Sequence, residues 1–314
     1  MRRCTSTDCG LLWLDPVPVT EDLPRLYDIY YTHTAVDRPR AGVAQTLDVA
    51  MRRAVLQKCL GYEMGISPLS ARLCAAFSWL FPSGRDGFLA EAMFLRAPRE
   101  SARLLEIGCG SGEALARMRG LGWEVLGTDF DERAVEVARG RGLDVRCGGV
   151  EAVREDAEGF DAIYLGHVLE HVPDPLALFR ECAGMLREGG AMVVLTPNAE
   201  SWGLRLFGPN WRGLEPPRHL HVFGPGNLRK LCGDAGLVPR TVRSTARGAR
   251  YVLAMSLASK ADGANSMPGL GKRFTGLILQ FVERMVLSAG EGGEEVVLVA
   301  VPHPTCGTRW EEAG

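Results

Sequence analysis

The chain has 314 residues, enough to bury a full α/β core and still carry a cap or a small second domain. Its 36 basic and 38 acidic side chains leave a formal net charge of -2, so no long-range field draws in polyanions, and nucleic acid is not an expected partner. A hydrophobic share of 46% and a charged share of 24% suit a soluble globular protein. No apolar run has the length of a bilayer span, and the opening M-R-R-C-T-S-T-D-C-G lacks the apolar stretch of a secretory signal.

These features predict a cytoplasmic protein without a transmembrane segment. Nine scattered cysteines, an odd number, are expected to be reduced thiols.

Residues 1–18 carry Cys4, Cys9 and the run L-W-L-D-P-V-P, a turn-rich composition that predicts a small separate segment. A helical extension is expected over 19–98. Within it Leu23, Leu26, Tyr27 and Tyr30 fall at helical spacing behind Thr20, and a second helix is expected over roughly 43–62. Pro68, Pro82 and Pro98 keep the later helices short.

From 99 to 302 the texture becomes strand, loop, helix. R-L-L-E-I-G leads into a helix near 112–120, W-E-V-L-G-T-D into one near 131–139, and L-D-V-R-C follows. After F-D-A-I-Y-L-G come a helix ending in G-M-L-R-E-G-G, the strand A-M-V-V-L-T-P, and a Trp- and Pro-rich lid at about 198–225. The remainder predicts a helix at 226–235, a strand near 237–244, a helical insertion at about 249–289, a last strand at 294–302 and a tail over 303–314. Short apolar strands alternating with helices predict parallel βαβ units in a doubly wound α/β sheet.

The densest motif is E106-I-G108-C-G110-S-G112, between a strand and a helix. Glycines let the backbone turn tightly and approach a ligand, and the helix start offers unpaired N–H groups. Asp129 ends the next strand, where an acid can accept hydrogen bonds from two ribose hydroxyls. A nicotinamide site would need its third glycine one residue later. Glu113 stands there, and its charge would repel a pyrophosphate.

With these residues the chain resembles the class I S-adenosylmethionine-dependent methyltransferases, in the group often preceded by a zinc ribbon. The resemblance implies a Rossmann-like seven-stranded sheet and S-adenosylmethionine as cofactor. It places Gly108, Gly110 and Gly112 around the methionine portion, Glu106 at the loop or amino group, Asp129 at the ribose, and Phe130 and Val150 by the adenine. Gly166 would line the same pocket. The family commonly has an acid or Asn after the third strand, where this chain has G148-G149-V150.

The segment G166-H167-V-L-E170-H171-V-P-D-P lies after the fourth core strand, on the ligand side of an open sheet. H-x-x-E-H also spells a zinc-peptidase signature, which requires one continuous helix; Pro173 and Pro175 limit any helix to about one turn. No metal is assigned. The family resemblance covers this segment and places His167 near the transferred methyl, where an imidazole of pKa about 6.5 could take a proton from the acceptor. Glu170 and His171 are read as bracing the turn.

In the lid, W211-R-G-L-E-P-P-R218-H219-L-H221-V-F resembles a stretch that covers the active site in this group. It implies His219 and His221 as catalytic residues, and Trp211 and Arg218 as substrate-binding. The expected reaction is methyl transfer to a small or lipid-linked acceptor at oxygen or carbon. A non-catalytic cofactor-binding relative and a nicotinamide oxidoreductase are the alternatives.

Cys4 and Cys9 resemble the second half of a zinc ribbon, two thiolates where a structural zinc takes four ligands. In the insertion, Phe274, Leu277, Ile278, Phe281, Val282 and Met285 form an apolar stripe, read as core or a homodimer contact.

Overall fold

A computed structural model describes residues 1–6, 9–19, 22, 43–78, 82–156, 158–262, 271, 275–280, 282 and 292–303. In chain order the elements are β1 (Arg2–Arg3), β2 (Leu12–Trp13), α1 (Val43–Leu60), α2 (Pro68–Ser78), α3 (Pro82–Glu91), β3 (Arg103–Ile107), α4 (Glu113–Gly120), β4 (Glu124–Asp129) and α5 (Glu132–Gly140). Then follow β5 (Asp144–Cys147), β6 (Phe160–Gly166), α6 (Pro175–Met185), β7 (Leu186–Pro197), α7 (Trp202–Phe207), β8 (His221–Val222), α8 (Pro225–Asp234), β9 (Leu237–Thr245), α9 (Ala249–Asp262) and β10 (Glu295–Pro302). The helix expected near 20–31, and Phe274, Phe281 and Met285 of the apolar stripe, lie outside the described residues.

Seven strands form one sheet in the order β5-β4-β3-β6-β7-β10-β9. Strands β5 to β7 pair in parallel, and β10 runs antiparallel to both neighbours. The order reverses between β3 and β6, so the carboxyl ends of those two strands open a crevice at a topological switch point.

Alternation along the strands divides the core into two layers. Leu105, Ile107, Ile163, Leu165 and Val194 face a cluster with Phe179 of α6 and Leu228 of α8. Leu104, Ala162, Tyr164, Val193 and Val297 face the other way, against Leu56 of α1, Met93 and Trp123. At about 1.5–3 kcal/mol per fully buried large apolar side chain, α1 is bound to the sheet by the same term as the crossover helices.

Local chemistry sets the helix starts. Asp131 caps α5 by accepting from the Arg133 N–H (3.1 Å), and Asp174 caps α6 by accepting from the Ala177 N–H (2.9 Å), with Pro175 in the first turn. One expectation is corrected: L-R-E-G-G belongs not to the end of α6 but to the start of β7. Leu186 pairs with Phe160, and strand pairing overrides the helical propensity of Leu, Arg and Glu.

A second, three-stranded sheet has the order β1-β2-β8. Leu12 pairs with Val222 and Trp13 with His221, so the Cys-bearing N-terminal segment is joined to the lid. Cys4 and Cys9 are free thiols, and Cys9 accepts from the Asn227 side chain at α8.

Candidate active site

The glycine loop between β3 and α4 lies on the crevice. Gly108, Gly110 and Gly112 all have left-handed φ (71°, 54° and 74°), the region where a Cβ is costly. A Cβ on Gly108 would stand 2.6 Å from Val168 Cγ2, and one on Gly112 2.4 Å from Leu143 Cδ1. Beside Gly110 no atom lies within 4 Å of where a Cβ would be, so the loop backbone is bare at its middle.

Asp129 holds this loop. Its Oδ2 accepts from the Gly110 N–H (2.7 Å) and its Oδ1 from the Asp131 N–H (2.9 Å). Glu106 is buried behind the loop, and its Oε2 has no hydrogen-bond partner. Burial, opposed by Arg117 and reinforced by Asp129, pushes its carboxyl up to about 8. Phe130 leaves β4 with its ring 76% exposed, and a Cβ on Gly149 would stand 2.7 Å from Phe130 Cζ. Gly-Gly therefore occupies the position where an acid or Asn is common because the ring covers it. Val150, buried, opens the turn that follows, and Gly166 ends β6 against the Tyr164 ring.

These groups fit S-adenosylmethionine. An orphaned buried carboxylate oxygen awaits a donor such as an amino group, a bare backbone lies beside it, and an acid and an exposed aromatic ring follow at the end of the next strand.

The histidine segment forms the single short turn that Pro173 and Pro175 allow. His167 adopts a left-handed backbone (φ 57°), and Leu169–His171 is a single 3-10 turn, so His167 and His171 share no helix face and the peptidase arrangement is absent. The His167 ring lies between two buried carboxylates, with Nδ1 3.2 Å from Glu170 Oε1 and Nε2 3.0 Å from Glu295 Oε1. Burial opposes its charge, but the hydrogen bonds and charges of Glu170 and Glu295 overturn this and hold it well above the usual imidazole range. As an imidazolium between these two carboxylates, His167 would have both nitrogens donating and no lone pair for an acceptor proton.

Glu170 braces the turn. Its Oε2 accepts from the Thr196 hydroxyl (3.0 Å), and its carbonyl accepts from the Leu220 N–H of the lid (2.7 Å). His171 Nδ1 is 3.1 Å from the Arg218 carbonyl, and the His171 and His219 rings meet edge to face at 4.8 Å. His219 is buried, and its Nδ1–H donates to the Gly213 carbonyl (2.8 Å). Burial lowers its pKa to about 4. Burial also lowers that of His221, whose Nδ1 is buried without a partner.

The two residues expected to bind substrate, Trp211 and Arg218, both have partners within the lid segment or at its base. Trp211 is 2% exposed, packs with Leu12, Phe207 and Leu214, and donates its indole N–H to Glu294. Arg218 is ion-paired with Glu215. The indole lies in the lid's own core, since an aromatic next to Gly213 can stack on bare backbone and exclude water.

Glu294, Glu295 and Arg247 are buried or half-buried charged groups beside the histidine segment and the lid that no motif singled out. Glu294 accepts from the Gly203 N–H (2.7 Å) as well as from Trp211, and burial raises its carboxyl to about 7. Arg247 donates to both oxygens of Glu295 (3.2 and 3.0 Å). The available signal was the acidic pair leading an otherwise apolar strand, E-E-V-V-L-V-A-V-P.

Glycine loop, pinned acid and switch-point crevice together define a nucleoside-cofactor-binding α/β domain. The sequence profile of a family described as "Methyltransferase domain" matches residues 85–242. The chain belongs to this family, and its cofactor is S-adenosylmethionine. A curated relative from Chelativorans sp., named ubiquinone biosynthesis O-methyltransferase, is 36% identical over 155 residues, 46% of this chain and 61% of that protein. A protein of the same name from Parvibaculum lavamentivorans is 40% identical over 107 residues, 32% of this chain and 42% of that protein. The chain thus spans about three fifths or less of these two relatives' length. Among solved structures, an S-adenosylmethionine-dependent methyltransferase from Mesorhizobium loti matches with a TM-score of 0.48 at 17% identity, covering 68% of this chain and 96% of that one.

Proposed function

We propose that the protein transfers a methyl group from S-adenosylmethionine to a small or lipid-linked organic acceptor, at oxygen or carbon, in the cytoplasm. The observation that carries this is the loop: three left-handed glycines, an orphaned Glu106 oxygen and a pinned Asp129 at one switch point. The relatives named O-methyltransferases support the oxygen option. A net charge of -2 gives no attraction to nucleic acid.

The cofactor supplies an electrophilic methyl on a sulfonium. In the transfer the sulfur–carbon bond breaks as an oxygen–carbon or carbon–carbon bond forms, the bonding pair returns to sulfur, and the acceptor gives up a proton. The chain's task is alignment, exclusion of water and acceptance of that proton. Glu106 and Asp129 orient the cofactor side. The lid, fastened through Glu294 and Glu170, covers the crevice edge. Of the three histidines, His219 and His221 are held toward the neutral form by burial, so they replace His167 as proton acceptors. A histidine of pKa about 4 is a weak base and suits an acidic hydroxyl or an activated carbon better than an alkyl alcohol.

Calorimetric titration of S-adenosylhomocysteine and NAD tests the cofactor: micromolar binding is expected for the first and none for the second. NAD binding of equal strength, or failure of both, removes the proposal. Once an acceptor is in hand, His219→Asn or His221→Asn is expected to lower kcat by about 10²–10⁴ with S-adenosylhomocysteine affinity within a few-fold. If neither variant slows turnover, neither histidine is the base.

A further inference from the structure

Both ring nitrogens of His167 point at carboxylate oxygens, Glu170 Oε1 at 3.2 Å and Glu295 Oε1 at 3.0 Å. Both acids are held in the ionised form by their cationic neighbours, so a neutral imidazole, with one N–H, would set lone pair against lone pair at one contact; with both acids ionised only the imidazolium satisfies both. The carboxylates are anchored in turn. Glu295 accepts Arg247 in a two-point pair, and Glu170 accepts the Thr196 hydroxyl.

The other titratable groups around this chain of charges include Tyr164, which faces Arg247 and Glu295, Asp86 beside Arg247, Glu294 beside Glu295, and His171 and His219, which face Glu170. Positive and negative charges alternate from Arg247 through Glu295 and His167 to Glu170. The ring is nevertheless not sealed in: the His167 side chain is 42% exposed, and its neighbour Val168 fills the space beside Gly108. The left-handed backbone of His167, costing about 1–3 kcal/mol in a non-glycine residue, is maintained by these contacts and by its N–H donating to the Leu195 carbonyl (2.8 Å).

We propose that Glu295 and Arg247 are positioning residues for methyl transfer, holding His167 as a fixed imidazolium beside the glycine loop. The assignment rests on the methyl-transfer reading for its purpose but not for its geometry. A cation locked at this place sets one edge of the acceptor pocket and favours an acceptor atom bearing negative charge, such as a phenolate or enolate oxygen, over an amine. Three sequence-distant pieces build it: the end of β6, the residues after β9, and the first residue of β10.

Long-range proton–nitrogen NMR of the histidine rings, recorded on the full chain from pH 6 to 9, tests the pair without any acceptor. The His167 ring, assigned by loss of its signal in His167→Gln, is expected to keep the imidazolium pattern throughout. In Glu295→Gln its proton affinity is expected to fall at least tenfold, bringing the titration into the observed range, with S-adenosylhomocysteine affinity within threefold of the parent. Titration of wild-type His167 near the ordinary imidazole pKa overturns the proposal, and so does a Glu295→Gln protein whose His167 titrates as before. The wild-type titration alone decides the matter if the variant does not fold. The S-adenosylhomocysteine titration is a separate measurement, so loss of the methyltransferase reading is distinguishable from loss of this one.

Discussion

Glu106 is an acid kept partly protonated at neutral pH by its place behind the loop, with a carboxyl at about 8. An ammonium group presented to its orphaned Oε2 would favour the ionised form, so binding should drive off a proton. Below pH 8 the S-adenosylhomocysteine affinity is therefore expected to rise with pH, flattening above it. Calorimetry at pH 7 in buffers of different ionisation enthalpy should show net proton release, abolished in Glu106→Gln. A binding enthalpy independent of buffer would remove Glu106 from the amino-group site. Asp129 works by geometry. Asp129→Ala deletes two hydrogen bonds from a charged acceptor, each worth about 1.5–3 kcal/mol, and should weaken S-adenosylhomocysteine binding by at least tenfold in the same titration.

The lid shows what a single buried carboxyl does for an element. Glu294 takes the Trp211 indole N–H and the Gly203 N–H, joining α7 and the following 3-10 turns to the start of β10. Its pKa is raised from 4.5 to about 7, chiefly by burial. The sign follows from linkage: a raised acid contributes stability in full below about 4.5 and loses it as pH rises through about 7. Thermal melts of the wild type should accordingly lose stability between pH 5 and 8, by about 1–3 kcal/mol, relative to Glu294→Gln. Parallel pH profiles for the two proteins would show that Glu294 does not titrate there.

This element also marks the limit of what sequence conveys. The βαβ rhythm, β3's glycine loop and Asp129 were legible because each is local: periodicity, a spacing of two, an acid at a strand end. His167's partner Glu295 lies over a hundred residues downstream and becomes its neighbour only through the sheet order. Histidine type and a place after the fourth core strand suggested a base; the charge state of His167 depends on contacts that no spacing encodes. The burial of Trp211 was illegible for the same reason, since an aromatic in a lid looks alike in sequence whether it is exposed or packs inward.

On the scale of the molecule, the sheet carries two differently built halves. Strands β3 to β5 with α4 and α5 frame the loop, while β7, β10 and β9 support the lid and the His167 cluster. Among the described residues no helix is long and apolar enough to cross a membrane. Leu277, Ile278 and Val282 of the apolar stripe are exposed at 43%, 49% and 38%. The N-terminal hairpin enters the lid's own core: Leu12 is 6% exposed and packs with Trp211 and Val222. Leu12→Ala should cost about 2–5 kcal/mol in a denaturant melt while leaving S-adenosylhomocysteine affinity near that of the parent. A loss under about 0.5 kcal/mol would mean that the hairpin is not part of the folded lid.

Because β2 hydrogen-bonds to the strand that carries His221, the N-terminal hairpin and the lid share one small sheet. An affinity tag fused ahead of Arg2 is then not a neutral handle. Acceptor screens should therefore be run both with the tag in place and with it moved to the other end.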